Sequence, residues 1–119
     1  MPTEQQHDYP SCFNRLLKDI LKKFIKSKQT ILVLLASLSL RPSGGDRIPG
    51  FAPFDLRKVR FGLPEYRIGK SGGLRVIYMV HPSRVIPLFI SIYFKGDYRS
   101  EHDVVALVKS NLKEILETL

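Results

Sequence analysis

Residues 73–94 read GLRVIYMVHPSRVIPLFISIYF, and this stretch decides the fold. Two runs within it, 73–80 and 85–94, are rich in the β-branched and aromatic residues that favour strands. Between the two runs, Pro82 and Ser83 are residues that suit a tight turn. Pro87 has no backbone N–H to give to a sheet, so we expect it near the beginning of the second strand. The stretch therefore predicts an antiparallel β-hairpin.

A third strand is predicted at residues 56–61, LRKVRF, shortly before the hairpin. Alternate residues of a strand point to the same face, so Leu56, Lys58 and Arg60 share one face of the sheet. Together with the hairpin, this strand predicts a three-stranded antiparallel meander. The preceding residues 41–53, RPSGGDRIPGFAP, break regular structure with prolines and glycines and predict a loop.

Two helices are predicted before the sheet. Residues 11–28, SCFNRLLKDILKKFIKSK, place apolar side chains at helical spacing, with Ser11 as the expected N-cap. Residues 30–40, TILVLLASLSL, are apolar nearly all round, so their periodicity fits a buried helix or a buried strand. Because they follow the first helix almost at once, we expect a second helix. This helix is apolar enough that another chain is expected to cover it.

The C-terminal residues 100–119 predict a closing helix. Ser100 and Asp103 stand in a capping-box arrangement, ahead of apolar residues at helical spacing. The whole chain, residues 1–119, is therefore predicted to form one α+β domain: two N-terminal helices, an antiparallel meander and a C-terminal helix. Residues 1–10 are polar and show no clear strand, so we expect them to be poorly ordered or to form a weak edge strand.

The charge of the chain is the unusual feature of its composition. The 119 residues carry a formal net charge of +8, and the pI is near 9.8. Such an excess of Lys and Arg favours a polyanionic partner such as RNA, DNA or an acidic protein, and it also promotes solubility. Charge alone therefore leaves nucleic-acid binding and simple solubility as alternatives.

Cysteine usage and hydropathy indicate the compartment. The single Cys12 excludes an internal disulfide and a thiolate zinc site, and it fits a reducing cytoplasm. The three histidines lack the spacing of metal ligands, so we expect no metal and no cofactor. Residues 1–10 carry no apolar signal core, and residues 30–40 are about half the roughly twenty residues that span a bilayer. We therefore expect a cytoplasmic protein without a membrane partner.

The sequence GKSGG at residues 69–73 resembles the end of a nucleotide-binding P-loop. The full pattern needs a glycine five residues before Gly69, and Pro64 occupies that position. A P-loop must also open into a helix, whereas a predicted strand follows GKSGG. We therefore expect no small-molecule nucleotide to bind here.

Basic and aromatic residues are predicted to converge on one face of the sheet. Lys58 and Arg60 share a strand face, and Arg75 begins the neighbouring strand. A buried guanidinium without a partner is costly, so Arg75 is expected to meet a carboxylate, water or a ligand's phosphate. The other side chains expected around this patch are Tyr93 and Lys95 from the last strand, and Arg67 and Lys70 from the loop before Arg75.

From Gly44 to Lys95 the chain resembles the RelE/HigB family of bacterial toxins. These are the toxic halves of type II toxin–antitoxin pairs and belong to the RelE/ParE superfamily. The residues that carry the resemblance are GGDRIPG, LRKVRF, GKSGGLRVIYMV and ISIYFK, which follow the order of the family. The flanking helices fit the same pattern.

The resemblance implies a ribosome-dependent endoribonuclease that cuts mRNA without a metal ion and blocks translation. The family positions that match its catalytic residues here are Lys58, Arg60, Arg75 and either Tyr98 or Arg99. Its expected partners are mRNA, the ribosome and a cognate antitoxin, which joins the toxin in a hetero-oligomer. The residues expected to bind RNA around these positions are Arg67, Lys70, Tyr93 and Lys95.

The chemistry of the residues agrees with these expected roles. Planar Arg75 would contact two oxygens of a phosphate under attack, and Tyr93 or Tyr98 would stack on a displaced base. Lys58, crowded by Arg60 and Arg75, would have its charged form disfavoured, which suits a general base for the ribose 2′-OH.

Two other functions stay open at this point. The ParE branch shares the fold but inhibits DNA gyrase by binding and does not cut RNA, and members of that branch usually lack the basic set. The other is a non-catalytic relic of the fold that binds RNA or protein. The lack of a clear first strand in residues 1–10 suggests this relic.

Overall fold

The computed structural model describes residues 9–98 and 100–118, and it confirms the predicted α+β layout. Two helices come first, a sheet follows, and a helix closes the described chain. Their bounds are α1, Ser11–Lys23; α2, Lys28–Leu40; β1, Asp46–Arg47; β2, Asp55–Phe61; β3, Leu74–Val80; β4, Leu88–Phe94; and α3, Glu101–Thr118. Among the helices of the described residues, none is long and apolar enough to cross a membrane.

Within the described residues the sheet has four strands in the order β1-β2-β3-β4, and each neighbouring pair is antiparallel. This is the predicted meander with one strand more. The added β1, Asp46–Arg47, lies inside residues 41–53, which were predicted to be a loop without regular structure. A strand of two residues shows no alternation, so only its pairing with Arg57 and Lys58 of β2 reveals it.

The sheet lies between two helical layers, which gives the domain two apolar cores. On one face, α1 and α2 bury side chains that include Phe13 and Leu35 against Tyr78 and Phe89. On the other face, α3 buries Val108 and its neighbours against the second face of the sheet. Because successive strand residues alternate between faces, the nearly continuous apolar sequence of β3 and β4 supplies both cores.

A bulge in β4 fixes the position of α3 on the sheet. The register between β3 and β4 shifts at Ile77 and Tyr78, which leaves Ile90 as an extra residue in β4. The side-chain amide of Asn111, a buried residue of α3, donates a hydrogen bond of 3.0 Å to the carbonyl of Ile90. The polar group that the bulge frees is therefore satisfied by the helix that covers it.

N-caps were predicted for α1 and α3, and the structure shows where each of these helices begins. Ser11 was predicted to cap α1, and this is wrong: α1 begins at Ser11, Pro10 is its N-cap, and no side chain of residues 9–98 or 100–118 caps it. Pro10 lies outside the helix because its ψ of 148° is extended, while its carbonyl accepts the first helical hydrogen bond from the N–H of Asn14. The predicted cap of α3 is confirmed, since Ser100 Oγ accepts from the N–H of Asp103 at 3.3 Å.

The connection between β3 and β4 is longer than the predicted tight turn. A turn does form, closed by the N–H of Arg84 and the carbonyl of His81 at 3.0 Å. However, Val85 and Ile86 stay outside the sheet with exposed side chains, and β4 begins only after Pro87. Proline without an N–H cannot extend the ladder, so the apolar pair before it is left in the loop.

Helix α2 is confirmed, and its apolar character continues onto its outer surface. Ile31, Leu35 and Leu38 are buried, whereas Val33 and Leu40 are 51% and 83% exposed. The expected weak strand of residues 1–10 falls mostly on residues 1–8, which lie outside the described residues.

Candidate functional site

A cleft lies where β2, β3 and β4 meet the beginning of α3. It encloses about 310 Å³, and cationic and phenolic side chains line much of it. The strand residues come together because the register pairs Arg60 with Arg75 and Arg75 with Tyr93. The residues that line the cleft are Lys58, Arg60, Arg75, Tyr93, Lys95, Tyr98, Ser100, Glu101 and Val104.

Arg75 is the most buried cation of the cleft, with 7% of its surface exposed. Its guanidinium donates to the backbone carbonyls of Ser71 at 3.0 Å, Gly73 at 3.3 Å and Lys70 at 3.4 Å. The sequence reasoning did not foresee these bonds, in which carbonyls of the preceding loop bind Arg75. These bonds use part of the donor fork and leave other N–H groups of the side chain for a ligand.

The loop that holds Arg75 is the GKSGG segment itself. Residues Lys70–Gly72 form one 3-10 turn, which brings their carbonyls toward Arg75. Gly73 is required here, since a Cβ at this position would lie 2.0 Å from the carbonyl oxygen of Phe61. The Gly73 carbonyl also accepts from the N–H of Lys95 at 3.0 Å. The loop thus fastens both Arg75 and the end of β4.

Two tyrosines form the aromatic wall of the cleft. The rings of Tyr93 and Tyr98 meet edge to face, with their centroids 5.1 Å apart. Burial raises the pKa of Tyr93 above its ordinary value; the nearby Glu101 raises it further, while Arg75 and Arg60 lower it. Burial also raises the pKa of Tyr98. Both phenols therefore remain protonated donors at neutral pH.

The 3-10 turn Lys95–Asp97 holds Tyr98 beside the cleft, and α1 fastens this turn. Lys23 of α1 forms an ion pair of 2.8 Å with Asp97, and its ammonium lies 4.7 Å from the centroid of the Phe94 ring. This anchor was not foreseen from the sequence. Lys23 and Asp97 are 74 residues apart, so no local pattern reveals their contact.

Lys58 has an acidic neighbour that the sequence reasoning also missed. Its Nζ lies 3.8 Å from a carboxylate oxygen of Glu101, the first residue of α3. Glu101 follows the last predicted strand by only a few residues. The acidic residue at the beginning of α3 was the sequence feature that could have indicated this contact. The pair engages Lys58 as an ammonium ion, whereas a general base must be a neutral amine.

The cleft brings together most of the predicted site residues, but not all of them. Arg67 and Lys70 were expected to reach into the patch, and the side chains of both are exposed and do not line the cleft. Lys70 contributes its carbonyl instead, and Arg67 ends the turn Pro64–Tyr66 with a φ of 57°. Arg99, the alternative to Tyr98, lies outside the described residues. The predicted residues that do line the cleft are Lys58, Arg60, Arg75, Tyr93, Lys95 and Tyr98.

Between residues 9 and 98 and between 100 and 118, no three side chains of His, Cys, Asp or Glu come together as a metal site. Comparisons with protein-family models, with curated proteins and with solved structures find no match to this chain.

Proposed function

We propose that this chain is a RelE/HigB-like toxin, a metal-independent endoribonuclease that cuts mRNA on the ribosome. The observation that carries the proposal is the convergence of Lys58, Arg60 and Arg75 with two tyrosines in one cleft. Three cations suit a phosphate, and aromatic rings beside them suit an unstacked base. The net charge of +8 supports a polyanionic substrate.

In the proposed reaction, the ribose 2′-oxygen attacks the adjacent phosphorus and the bond to the 5′-oxygen breaks. A base takes the 2′-OH proton, and an acid gives a proton to the departing 5′-oxygen. Arg75, already fixed by carbonyls, binds the oxygens on which charge develops. Loss of one such preorganised contact typically raises the barrier by about 3 to 4 kcal/mol, roughly a hundred- to thousandfold in rate.

The acid and base of this reaction come from the walls of the cleft. Lys58 is the base, which requires that it leave Glu101 and lose a proton. Tyr98 is the acid, because its phenol carries a proton and Tyr93 supports its ring. Since the 2′-OH is the nucleophile, the reaction is restricted to RNA.

A cognate antitoxin in the cytoplasm is part of the proposal. An acidic segment of this partner binds the cationic cleft, and an apolar segment covers Val33 and Leu40 on α2. The toxin and antitoxin then form a hetero-oligomer in which the cleft is closed to mRNA.

A non-catalytic RNA-binding protein is the second candidate function. The observation that favours it is that the two central cations already have partners, Arg75 in the loop carbonyls and Lys58 in Glu101. Such a protein would bind RNA in the cleft without cutting it.

The test is cleavage of mRNA by the purified chain on ribosomes that hold a codon in the A site. We expect cut mRNA, and we expect Arg60→Ala to slow cleavage by roughly a hundredfold. Arg60 is exposed, so this change spares the core. Arg84→Ala removes the same charge at the opposite end of the β3–β4 hairpin and should leave the rate unchanged.

Expression in cells separates the candidates. Growth arrest with cut mRNA supports the toxin, whereas arrested cells that contain intact mRNA contradict it. RNA binding without cleavage identifies the second candidate. DNA damage with continued protein synthesis would indicate the gyrase-inhibiting branch instead.

A further inference from the structure

Glu101 occupies an unusual place for an acid. Of the described residues that line the cleft, Lys58, Arg60, Arg75 and Lys95 are cationic and Glu101 alone is acidic. A ligand phosphate and the Glu101 carboxylate would therefore both bind to the cationic side chains of the cleft. An acid in this position opposes the binding of RNA by its charge.

The contact that Glu101 makes is with the cation that the proposed reaction needs free. Its carboxylate oxygen lies 3.8 Å from Nζ of Lys58, and the side chains are 74% and 22% exposed, respectively. Lys58 is thus held inside the cleft, while Glu101 reaches it from the solvent side at the beginning of α3. Glu101 can leave the cleft by a side-chain rotation, without any movement of the sheet.

We infer that Glu101 is an internal competitor for substrate, a carboxylate that occupies Lys58 until an RNA phosphate displaces it. This inference rests on the proposed function, since it assigns the displaced position to a phosphate of RNA. The exchange replaces one anion at Lys58 with another and leaves the Glu101 carboxylate in water.

The strength of this competition is limited by exposure. A solvent-exposed ion pair is weak and screened by salt, so a phosphate that also contacts other cations displaces the carboxylate readily. Arg60 and Lys95 are both exposed and line the same cleft. An RNA strand contacts Arg60, Lys95 and Lys58 together. It therefore binds the cleft more strongly than the single carboxylate of Glu101.

The experiment measures binding of a fluorescein-labelled single-stranded RNA of ten nucleotides at low salt. We expect Glu101→Gln to bind this RNA roughly three- to tenfold more tightly than the unchanged chain. Glu117→Gln is the matched control, because it removes the same charge from an exposed position of α3. It lies 16 residues further along the helix, about 24 Å from Glu101. This control should change binding less than about twofold.

A double-mutant cycle tests whether Lys58 is the group for which the two anions compete. In a Lys58→Met background, Glu101→Gln should increase the affinity for RNA by less than about twofold, because the cation for which the two anions compete has been removed. Thermal unfolding of each variant checks that the fold is kept. An equal gain in both backgrounds would overturn the inference.

The outcomes distinguish this inference from the proposed function. If Glu101→Gln and Glu117→Gln bind RNA equally, or if Glu101→Gln binds it more weakly, the internal competitor is wrong whatever the cleavage assay gives. If Glu101→Gln alone binds RNA more tightly but no variant cuts mRNA, the competitor stands and the endonuclease is wrong. If no variant binds RNA, the internal competitor is wrong, and cleavage of mRNA on ribosomes decides the endonuclease separately.

Discussion

Arg75 has a structural partner as well as a proposed catalytic role, and these two roles can be separated. The sequence placed Arg75 in the patch correctly, because strand alternation and pairing determine which side chains share a face. It did not reveal the bonds to carbonyls of residues 70–73. Those bonds depend on the path of a loop, which no periodicity encodes.

Arg75→Met is expected to lower the free energy of unfolding by about 1 to 3 kcal/mol, because the carbonyls of residues 70, 71 and 73 lose a charged donor. Arg60→Met is the matched control, since Arg60 lies directly opposite Arg75 in the neighbouring strand and is exposed. It should change the free energy of unfolding by less than about 0.5 kcal/mol. Urea denaturation measures both changes. Equal losses of unfolding free energy for the two variants would contradict a stabilising role for the bonds between Arg75 and the carbonyls.

The beginning of α2 is held by an acid from a distant turn. Glu65 accepts from Ser27 Oγ at 2.7 Å and from Thr30 Oγ1 at 2.6 Å. No side chain of the flanking residue caps α2. Glu65 therefore supplies the negative group that a helix N-terminus favours. The sequence predicted this helix from its apolar residues, but it could not identify a carboxylate partner that lies 35 residues from Thr30.

The pH dependence of stability should report the hydrogen bonds of Glu65. The hydrogen bonds from Thr30 and Ser27 lower the pKa of Glu65 in the folded chain. A lowered folded pKa gives stability that is present above the ordinary carboxyl pKa of about 4.3 and is lost as pH falls through the folded pKa.

Glu65→Gln should therefore be less stable than the unchanged chain at neutral pH. Its stability should also fall less than that of the unchanged chain as the pH is lowered. The measurement is the urea midpoint from pH 7 down to pH 3 for both chains. Glu117→Gln, an exposed acid of α3, serves as the control and should keep the acid dependence of the unchanged chain. Parallel pH curves for Glu65→Gln and the unchanged chain would show that the bonds of Glu65 to Ser27 and Thr30 do not stabilise the fold.

The molecule as a whole is a sheet between two helical layers, and α2 contributes its apolar residues unequally. Leu35 is fully buried in the core beneath α1 and α2, whereas Leu40 is 83% exposed. The sequence TILVLLASLSL does not show which of these two leucines is buried, since the segment is apolar nearly all round. Only the packing of the helix against the sheet decides which of its sides is buried.

Leu35→Ala is expected to reduce the free energy of unfolding by about 2 to 5 kcal/mol, because it leaves a cavity in the core. The same change at Leu40 should alter it by less than about 0.5 kcal/mol. Thermal and urea unfolding of the isolated chain give both values. A loss at Leu40 as large as the loss at Leu35 would mean that α2 is buried on both sides in solution.

The sequence by itself determined the α+β layout, three of the four strands and the shared face of Lys58, Arg60 and Arg75. These features follow from alternation, helical spacing and turn residues, all of which act between near neighbours in the chain. The tertiary structure alone decided that carbonyls bind Arg75, that Glu101 contacts Lys58, and that Arg67 and Lys70 do not line the cleft. Such contacts depend on loop paths and on the position of α3 over the sheet. Residues far apart in sequence form them, and no local pattern contains that information.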